Sequence, residues 1–374
     1  MVDPRLRYPI AMNPVALPGR VGRSHRLLVA VASLWLLPRV AHAQAMPPAL
    51  AQFLTQLADF KGDEIAQATS GVAVVKIVPT AENREVALIG VTRVDVPREF
   101  YVSRVKGLDP SATANTSGFG VFGDPPSPQD LAGLSLSRNE MEDLSRCRPG
   151  ACKLKLPGTL MGEARALIDS SGASRDSAVR AYLVRRVLNY VAAYRERGND
   201  ALVVYNDRKE ATEAARVWDG LLSTSPYIYR AVPGLDRYLR NYPRDRPPGA
   251  RDMIFWTDDA VPGAATLMTI THQVVYDPPE LPGTTVIAAK QLFCDHYLDG
   301  GLDLMGVEDV ENHDAKTRGV YVLLIRRLHF DDLPSGGLIN IRGKVVSRFR
   351  DLTLTFLKYS KASSERAFGD QPPS

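Results

Sequence analysis

The sequence predicts an α+β protein with an antiparallel sheet, a long C-terminal helix and a large helical insertion. Three observations lead to this class. Five strand-like apolar runs follow one another between 252 and 330, with turn-forming prolines and glycines between them. An apolar stripe with helical spacing then covers 341–361. The middle of the chain, 107–251, reads as a long loop followed by helical patterns.

The first 43 residues have the pattern of a cleavable signal peptide. An arginine-containing segment precedes an apolar run over 27–37, and Ala41-His42-Ala43 places small residues at the −3 and −1 positions before Gln44. The run is much shorter than the roughly 20 residues that span a bilayer. We therefore expect cleavage after Ala43, a periplasmic or secreted product, and no transmembrane segment in the mature chain.

The charge balance argues against a nucleic-acid partner. The whole chain has 46 basic and 42 acidic side chains, a net charge of +4. Residues 1–43 contain six arginines and one aspartate, so the mature chain has a net charge of −1. A binder of nucleic acid would need a basic footprint. We predict one α+β domain over 44–361, with 107–251 as its insertion, and a polar, disordered tail over 362–374.

The predicted elements follow from local patterns in chain order. Proline and glycine mark the turns, period-two alternation marks the strands, and apolar residues three and four apart mark the helices. The C-terminal helix carries its stripe on Ile341, Val345, Phe349, Leu352 and Phe356. The predicted elements are a helix at 47–69, strands at 72–78 and 85–94, a short helix at 98–105, a loop at 109–130, helices at 175–197, 209–222 and 233–241, and strands at 252–257, 265–276, 285–298, 302–310 and 319–330.

Two of the three cysteines are spaced for a local disulfide. Cys147 and Cys152 enclose a Pro-Gly turn that can bring the two sulfurs together, and an oxidising compartment favours the bond. Half a zinc site would need a second cysteine pair, and a redox pair would have the C-x-x-C spacing. Cys294 is left over; it reads as a buried strand cysteine, with a catalytic thiol as the alternative.

The candidate site residues are polar side chains on otherwise apolar rows of the predicted strands. The mature chain has four histidines, His272, His296, His313 and His329. In the period-two pattern, His272, His296 and Arg326 each interrupt an apolar row. Such groups are either paired structurally with acidic neighbours or surround a ligand. A third alternative is a metal site that includes Cys294 and His296.

Arg326 is the charged group that most needs a partner. It interrupts a row of five apolar positions in the run 319–330, and a buried guanidinium requires a carboxylate. That carboxylate could come from Glu308 or Asp295, or from an amphipathic ligand such as a fatty acid. We accordingly predict His272, His296 and Arg326 as ligand-binding residues. We assign no catalytic residue, metal or cofactor, because the common catalytic signatures, such as G-x-S-x-G, Walker A and H-E-x-x-H, do not occur.

The sequence also resembles known families in two respects. The order of an early strand, a short helix after "VDVPREF", later strands and a long C-terminal helix resembles the helix-grip fold of START and Bet v 1-like proteins, over 85–106 and 252–361. That resemblance implies a curved sheet wrapped around the helix with an apolar cavity between them. The stretches "CRPGACKLKLP" and "FCDHYLDGGLDL" are similar to an uncharacterised family of exported bacterial proteins, which implies export and no particular activity.

The function that these observations favour is binding of an apolar or amphipathic, lipid-like small molecule by an exported protein. Two alternatives stay open. One is an exported hydrolase in which His272 or His296 acts as a general base, which a cleft beside a nucleophile would favour. The other is a protein-interaction domain of the cell envelope, which a large exposed apolar patch without an internal cavity would favour.

Overall fold

The computed structural model describes residues 46–106, 116–260, 265–310, 319–333 and 340–370. The predicted signal peptide, its cleavage site after Ala43 and His313 lie outside these residues. Within the described ranges, no helix is long and apolar enough to cross a membrane. The cysteine prediction is confirmed, because Cys147 and Cys152 form a disulfide with their Cα atoms 4.4 Å apart, and Cys294 is free and buried.

The helices and strands alternate along the chain as an α+β protein. The helices are α1 (Pro48–Ala58), α2 (Gly62–Thr69), α3 (Arg98–Lys106), α4 (Arg138–Arg146), α5 (Gly158–Ser170), α6 (Arg175–Arg197), α7 (Ala214–Ser223), α8 (Pro226–Ala231), α9 (Pro233–Asn241) and α10 (Ile341–Gly369). The strands are β1 (Val74–Val78), β2 (Glu85–Val94), β3 (Thr116–Val121), β4 (Val204–Tyr205), β5 (Thr212–Glu213), β6 (Arg251–Asp259), β7 (Leu267–Tyr276), β8 (Thr284–Cys294), β9 (Leu298–Asp309) and β10 (Val320–Phe330).

A large antiparallel sheet organises the molecule and confirms the predicted class. Its strand order is β1-β2-β10-β9-β8-β7-β6-β3, while β4 and β5 pair separately. The strands from β6 to β10 form the predicted meander, and β10 returns to pair with β2. The long C-terminal helix α10 packs on β1 and β2. Assignment to the helix-grip fold in particular stays a prediction.

The two faces of the sheet are covered by different parts of the chain. On one face, which we call the inner face, α3 and α10 pack against side chains such as Val322 and Leu324. On the opposite, outer face, α1 and the helices α6 to α9 form the largest apolar core with side chains such as Ile270 and Ile325. This arrangement places the helices of the insertion on the side of the sheet away from α10.

Strand β3 corrects the prediction of a loop over 109–130. Gly118 and Gly120 lie within that range, and both pair with β6 at the edge of the sheet. A Cβ atom on Gly120 would collide with Nε1 of Trp256, and one on Gly118 would lie 2.9 Å from the same ring. The glycines are therefore the residues that let the buried Trp256 side chain lie against β3. Part of the insertion thus belongs to the main sheet.

The C-terminal helix is longer than its apolar stripe indicates. The sequence predicts its end at 361 and a disordered tail from 362, but α10 continues to Gly369. Phe368 packs against Phe100 of α3 with ring centroids 5.0 Å apart, and Ser364 is buried. Contacts with α3 therefore hold the polar last two turns in place. Residues 371–374 of the predicted tail lie outside the described residues.

Candidate functional site

A cavity of about 560 Å³ lies between the inner face of the sheet, α3 and α10. The alternation of side chains along the strands determines which residues form its walls. Alternate residues of the strands β6 to β10 point to this face, and α10 presents small polar residues as well as two aromatic rings. Residues from each wall include Phe255 of β6, Thr271 of β7, Met305 of β9, Leu324 of β10, and Phe356 and Ser360 of α10.

Arg326 borders this cavity and is paired inside the protein. Its Nε donates to Oδ1 of Asp303 at 2.9 Å, and its Nη2 donates to Oδ2 at 2.6 Å. Burial alone would lower the pKa of Arg326, but the Asp303 carboxylate raises it above the ordinary value. The two side chains keep 22% and 29% of their surface accessible, because both face the cavity. The carboxylate partner is therefore Asp303, where the sequence suggested Glu308, Asp295 or a ligand.

His272 lies on the outer face of the sheet, away from the cavity. Its Nε2 is 2.9 Å from Oδ1 of Asp252, and its Nδ1 is 3.0 Å from the hydroxyl of Tyr194. The ring of Tyr242 packs on it with centroids 4.4 Å apart. Burial lowers the pKa of His272, and the Asp252 carboxylate opposes that effect only in part. His272 is fully buried in a hydrogen-bonded network, as the structural alternative predicts.

His296 lies in the turn between β8 and β9, where the sequence predicts a continuous strand. Tyr297 adopts a positive φ of 59° and ends the strand pairing there. Nδ1 of His296 is 3.0 Å from Oδ1 of Asp295 without hydrogen-bond geometry. Burial lowers the pKa of His296, but the Asp295 carboxylate outweighs it and raises the pKa. The residue borders a separate polar groove of about 1150 Å³ beside the Cys147–Cys152 turn.

The structure therefore does not bring the three predicted ligand-binding residues together. Only Arg326 borders the cavity under α10; His272 and His296 lie elsewhere. His329 also pairs locally, with its Nδ1 3.2 Å from Oδ2 of Asp299, whose Oδ1 accepts from Lys155 Nζ at 2.7 Å. In the part of the chain that the structure describes, no group of three or more histidine, cysteine or acidic residues could hold a metal ion, and Cys294 forms no such site with His296.

A buried lysine is the titratable group that sequence reasoning missed. Lys290 of β8 is fully buried on the outer face, where its Nζ donates to Oδ1 of Asn199. Nζ lies 4.6 Å from the ring centroid of Trp218 and 5.2 Å from that of Tyr194. Burial lowers the pKa of Lys290 well below its ordinary value of 10.5. Lys290 lies two residues after Ala288 on an otherwise apolar row of β8. This position was the feature of the sequence that could have indicated a buried lysine.

Replacement of Lys290 by methionine is expected to raise the free energy of unfolding at neutral pH. The unfolded chain takes up a proton on Lys290 below pH 10.5, whereas burial opposes protonation in the folded state. Stability should therefore rise with pH in the window below 10.5, and Lys290→Met should remove that rise. Urea denaturation between about pH 7 and 9 measures both effects, with the exposed Lys358→Met as the control. Parallel pH curves for the two variants would contradict the prediction.

Comparison with known proteins gives little beyond this geometry. No protein-family model matches the chain, and no curated protein matches it. Among solved structures the chain is similar to the Zhui aromatase/cyclase from Streptomyces sp. R1128, with 13% identity over 41% of this chain and 88% of that chain. The TM-score is only 0.22. A likeness this weak adds nothing to what the contacts of the chain itself support.

Proposed function

We propose that this protein binds an amphipathic small molecule in the cavity under α10. The observation that carries the proposal is the cavity itself, whose volume of about 560 Å³ falls within the range of about 300–1,000 Å³ for small-molecule sites. Its walls combine apolar side chains such as Phe255 and Met305 with a few polar groups such as Thr271. Binding sites for small molecules are built in this way.

The hydrogen bonds of Arg326 within the protein limit what it can contribute to ligand binding. Its Nε and Nη2 are engaged by Asp303, whereas its Nη1 has only a long contact of 3.5 Å to the hydroxyl of Thr353. The N–H donors that Asp303 leaves unused, on Nη1 and Nη2, are therefore what Arg326 could offer to a ligand. His272 and His296 play no part in this proposal, because neither borders the cavity.

A hydrolase that uses a histidine as general base is the alternative function. The observation in its favour is the Asp295–His296 pair beside the polar groove, because the neighbouring carboxylate raises the pKa of the histidine. His272 is unsuitable for this role because it is fully buried. An interaction domain would be favoured by an exposed apolar patch without a cavity, and the cavity under α10 argues against it.

The proposal predicts that filling the cavity abolishes binding of an apolar probe. Ala289 borders the cavity from β8, so a phenylalanine side chain in its place would occupy the space. We expect the uncharged fluorophore N-phenyl-1-naphthylamine to bind the purified protein with increased emission and to lose that signal in Ala289→Phe. Fluorescence titration measures the binding, and a thermal melt confirms that the variant is folded.

The matched control is Ala362→Phe, which adds the same side chain at an exposed position of α10. This variant should bind the fluorophore as the unchanged protein does. Absence of fluorophore binding, or equal binding by a folded Ala289→Phe variant, would contradict the proposal.

A further inference from the structure

A polar row crosses the inner face of the sheet at the base of the cavity. Strand register places Gln273 of β7 opposite Ala289 of β8, Ala289 opposite Asp303 of β9, and Asp303 opposite Arg326 of β10. All four residues border the cavity. Neighbouring strands lie about 4.8 Å apart, so the Gln273 and Asp303 positions are about 10 Å apart. The small Ala289 between them leaves open space above the row.

Gln273 is a buried side chain whose amide has no hydrogen-bond partner among the described residues. It is only 4% exposed, and it borders the cavity. Thr271, the next residue of β7 on the same face, likewise borders the cavity with a hydroxyl that forms no such bond within those ranges. The polar atoms of Gln273 are not among the fully buried, unpaired ones, so the amide is open to the cavity, where a bound group can supply its hydrogen bonds. The cavity therefore holds free hydrogen-bonding capacity on the β7 side.

The chemistry of an amide limits what can complete it. The glutamine side chain has both a carbonyl acceptor and NH₂ donors. Its full complement is a neutral group that both donates and accepts, such as a hydroxyl or another amide. A carboxylate could use only the donors, and an ammonium group only the acceptor.

The other charges of the cavity also disfavour a charged ligand. Arg326 is neutralised by Asp303, and the remaining pair of charged residues consists of Arg104 and Asp259. Arg104 donates to the hydroxyl of Ser363 at 3.0 Å, and Asp259 accepts from the hydroxyl of Thr257 at 2.7 Å. The four formal charges sum to zero. An anionic ligand would approach Asp303 together with Arg326 and gain little net attraction.

We propose that the ligand of this cavity is uncharged, with an apolar body and a hydroxyl group that hydrogen-bonds to the amide of Gln273 above Ala289. This inference rests on the proposed function and specifies its ligand class. It departs from the fatty acid that the sequence suggested, because Asp303 already occupies the place of the ligand carboxylate.

Displacement of bound N-phenyl-1-naphthylamine by three ligands of equal chain length tests the inference. The ligands are 1-decanol, decanoate and decylamine, which differ in the charge of the polar group. We expect decanol to displace the fluorophore at concentrations at least about tenfold lower than decanoate or decylamine. One satisfied hydrogen bond in a buried site is sufficient for that ratio.

Substitution of Gln273 measures the contribution of its amide to ligand preference separately from that of the rest of the cavity. Gln273→Leu should reduce the decanol-to-decanoate preference about tenfold, and Gln273→Glu should shift the preference towards decylamine. Gln273→Met is the second apolar variant, should the leucine variant fail to fold. The exposed Gln52→Leu should keep the preference of the unchanged protein.

Each outcome has a distinct meaning. Displacement by decanoate at equal or lower concentration, or an unchanged preference in the apolar Gln273 variants, would overturn this inference while cavity binding still stood. Absence of fluorophore binding, or its persistence in Ala289→Phe, would instead overturn the proposed function itself.

Discussion

Replacement of Arg327 by methionine is expected to lower the free energy of unfolding by about 3–5 kcal/mol, because it leaves a carboxylate buried without its partner. Arg327 of β10 faces the outer side of the sheet, where its Nε donates to Oε1 of Glu85 at 2.5 Å. Both side chains are only 7% exposed. Nη1 of Arg327 also donates to the hydroxyl of Ser225 at 2.6 Å and to the carbonyl of Leu221 at 3.0 Å. Urea denaturation at neutral pH measures the loss.

Two further variants show whether the orphaned charge is the cause. Adding Glu85→Leu to Arg327→Met removes the stranded carboxylate, so the double variant should regain most of the lost stability. Arg350→Met changes an arginine that is 44% exposed and should have little effect. A loss below about 1 kcal/mol for Arg327→Met would show that water or other groups solvate Glu85 and would contradict the prediction.

Truncation of Leu357 to alanine should cost about 2–5 kcal/mol, the range for a large aliphatic side chain removed from a core. Leu357 of α10 is fully buried in the apolar cluster of the inner face, which includes Val322 and Leu324. A glycine makes room for it, since a Cβ atom on Gly90 of β2 would lie 2.6 Å from Cδ1 of Leu357. The leucine thus fills a recess in the sheet, and its removal leaves a cavity.

The stripe predicted from the sequence supplies the matched comparison for Leu357. Ile341 belongs to that stripe but is 44% exposed at the start of α10, so Ile341→Ala should change stability by less than about 1 kcal/mol. Thermal and urea unfolding of both variants give the two values. Equal losses would contradict the prediction that Leu357 contributes far more to stability than the exposed start of the stripe.

The sequence predicted the secondary structure well where local patterns determine it. The five strands from β6 to β10 start and end within a few residues of the predicted bounds, and α6 matches the prediction of 175–197. The predicted helix at 47–69 is divided into α1 and α2, because Asp59 takes a positive φ of 52°. Nothing in the apolar spacing marks that interruption.

The site was harder to predict because period-two patterns do not say which face of a sheet each row occupies. Register places the row of His272 on the outer face and the row of Arg326 on the inner face. A bulge between Ile270 and Thr271 also shifts the register in which β7 pairs with β8. Cys294 is therefore out of alignment with the preceding residues of β8. Thr271 and Gln273 are polar residues at alternate positions of β7, opposite in facing to His272. This polar row was the feature of the sequence that could have indicated the cavity.

The position of β10 in the sheet has a consequence for how the chain folds. β10 lies between β2 and β9, so the hydrogen bond from Arg327 to Glu85 joins residues 242 apart in sequence. Non-local pairing of this kind slows folding, because the entropy of closing a long loop is lost before the contacts form. Until 320–330 has been synthesised, β2 and β9 each present an unpaired edge that can associate with other chains. Completion of the sheet is therefore a late event in the folding of this chain.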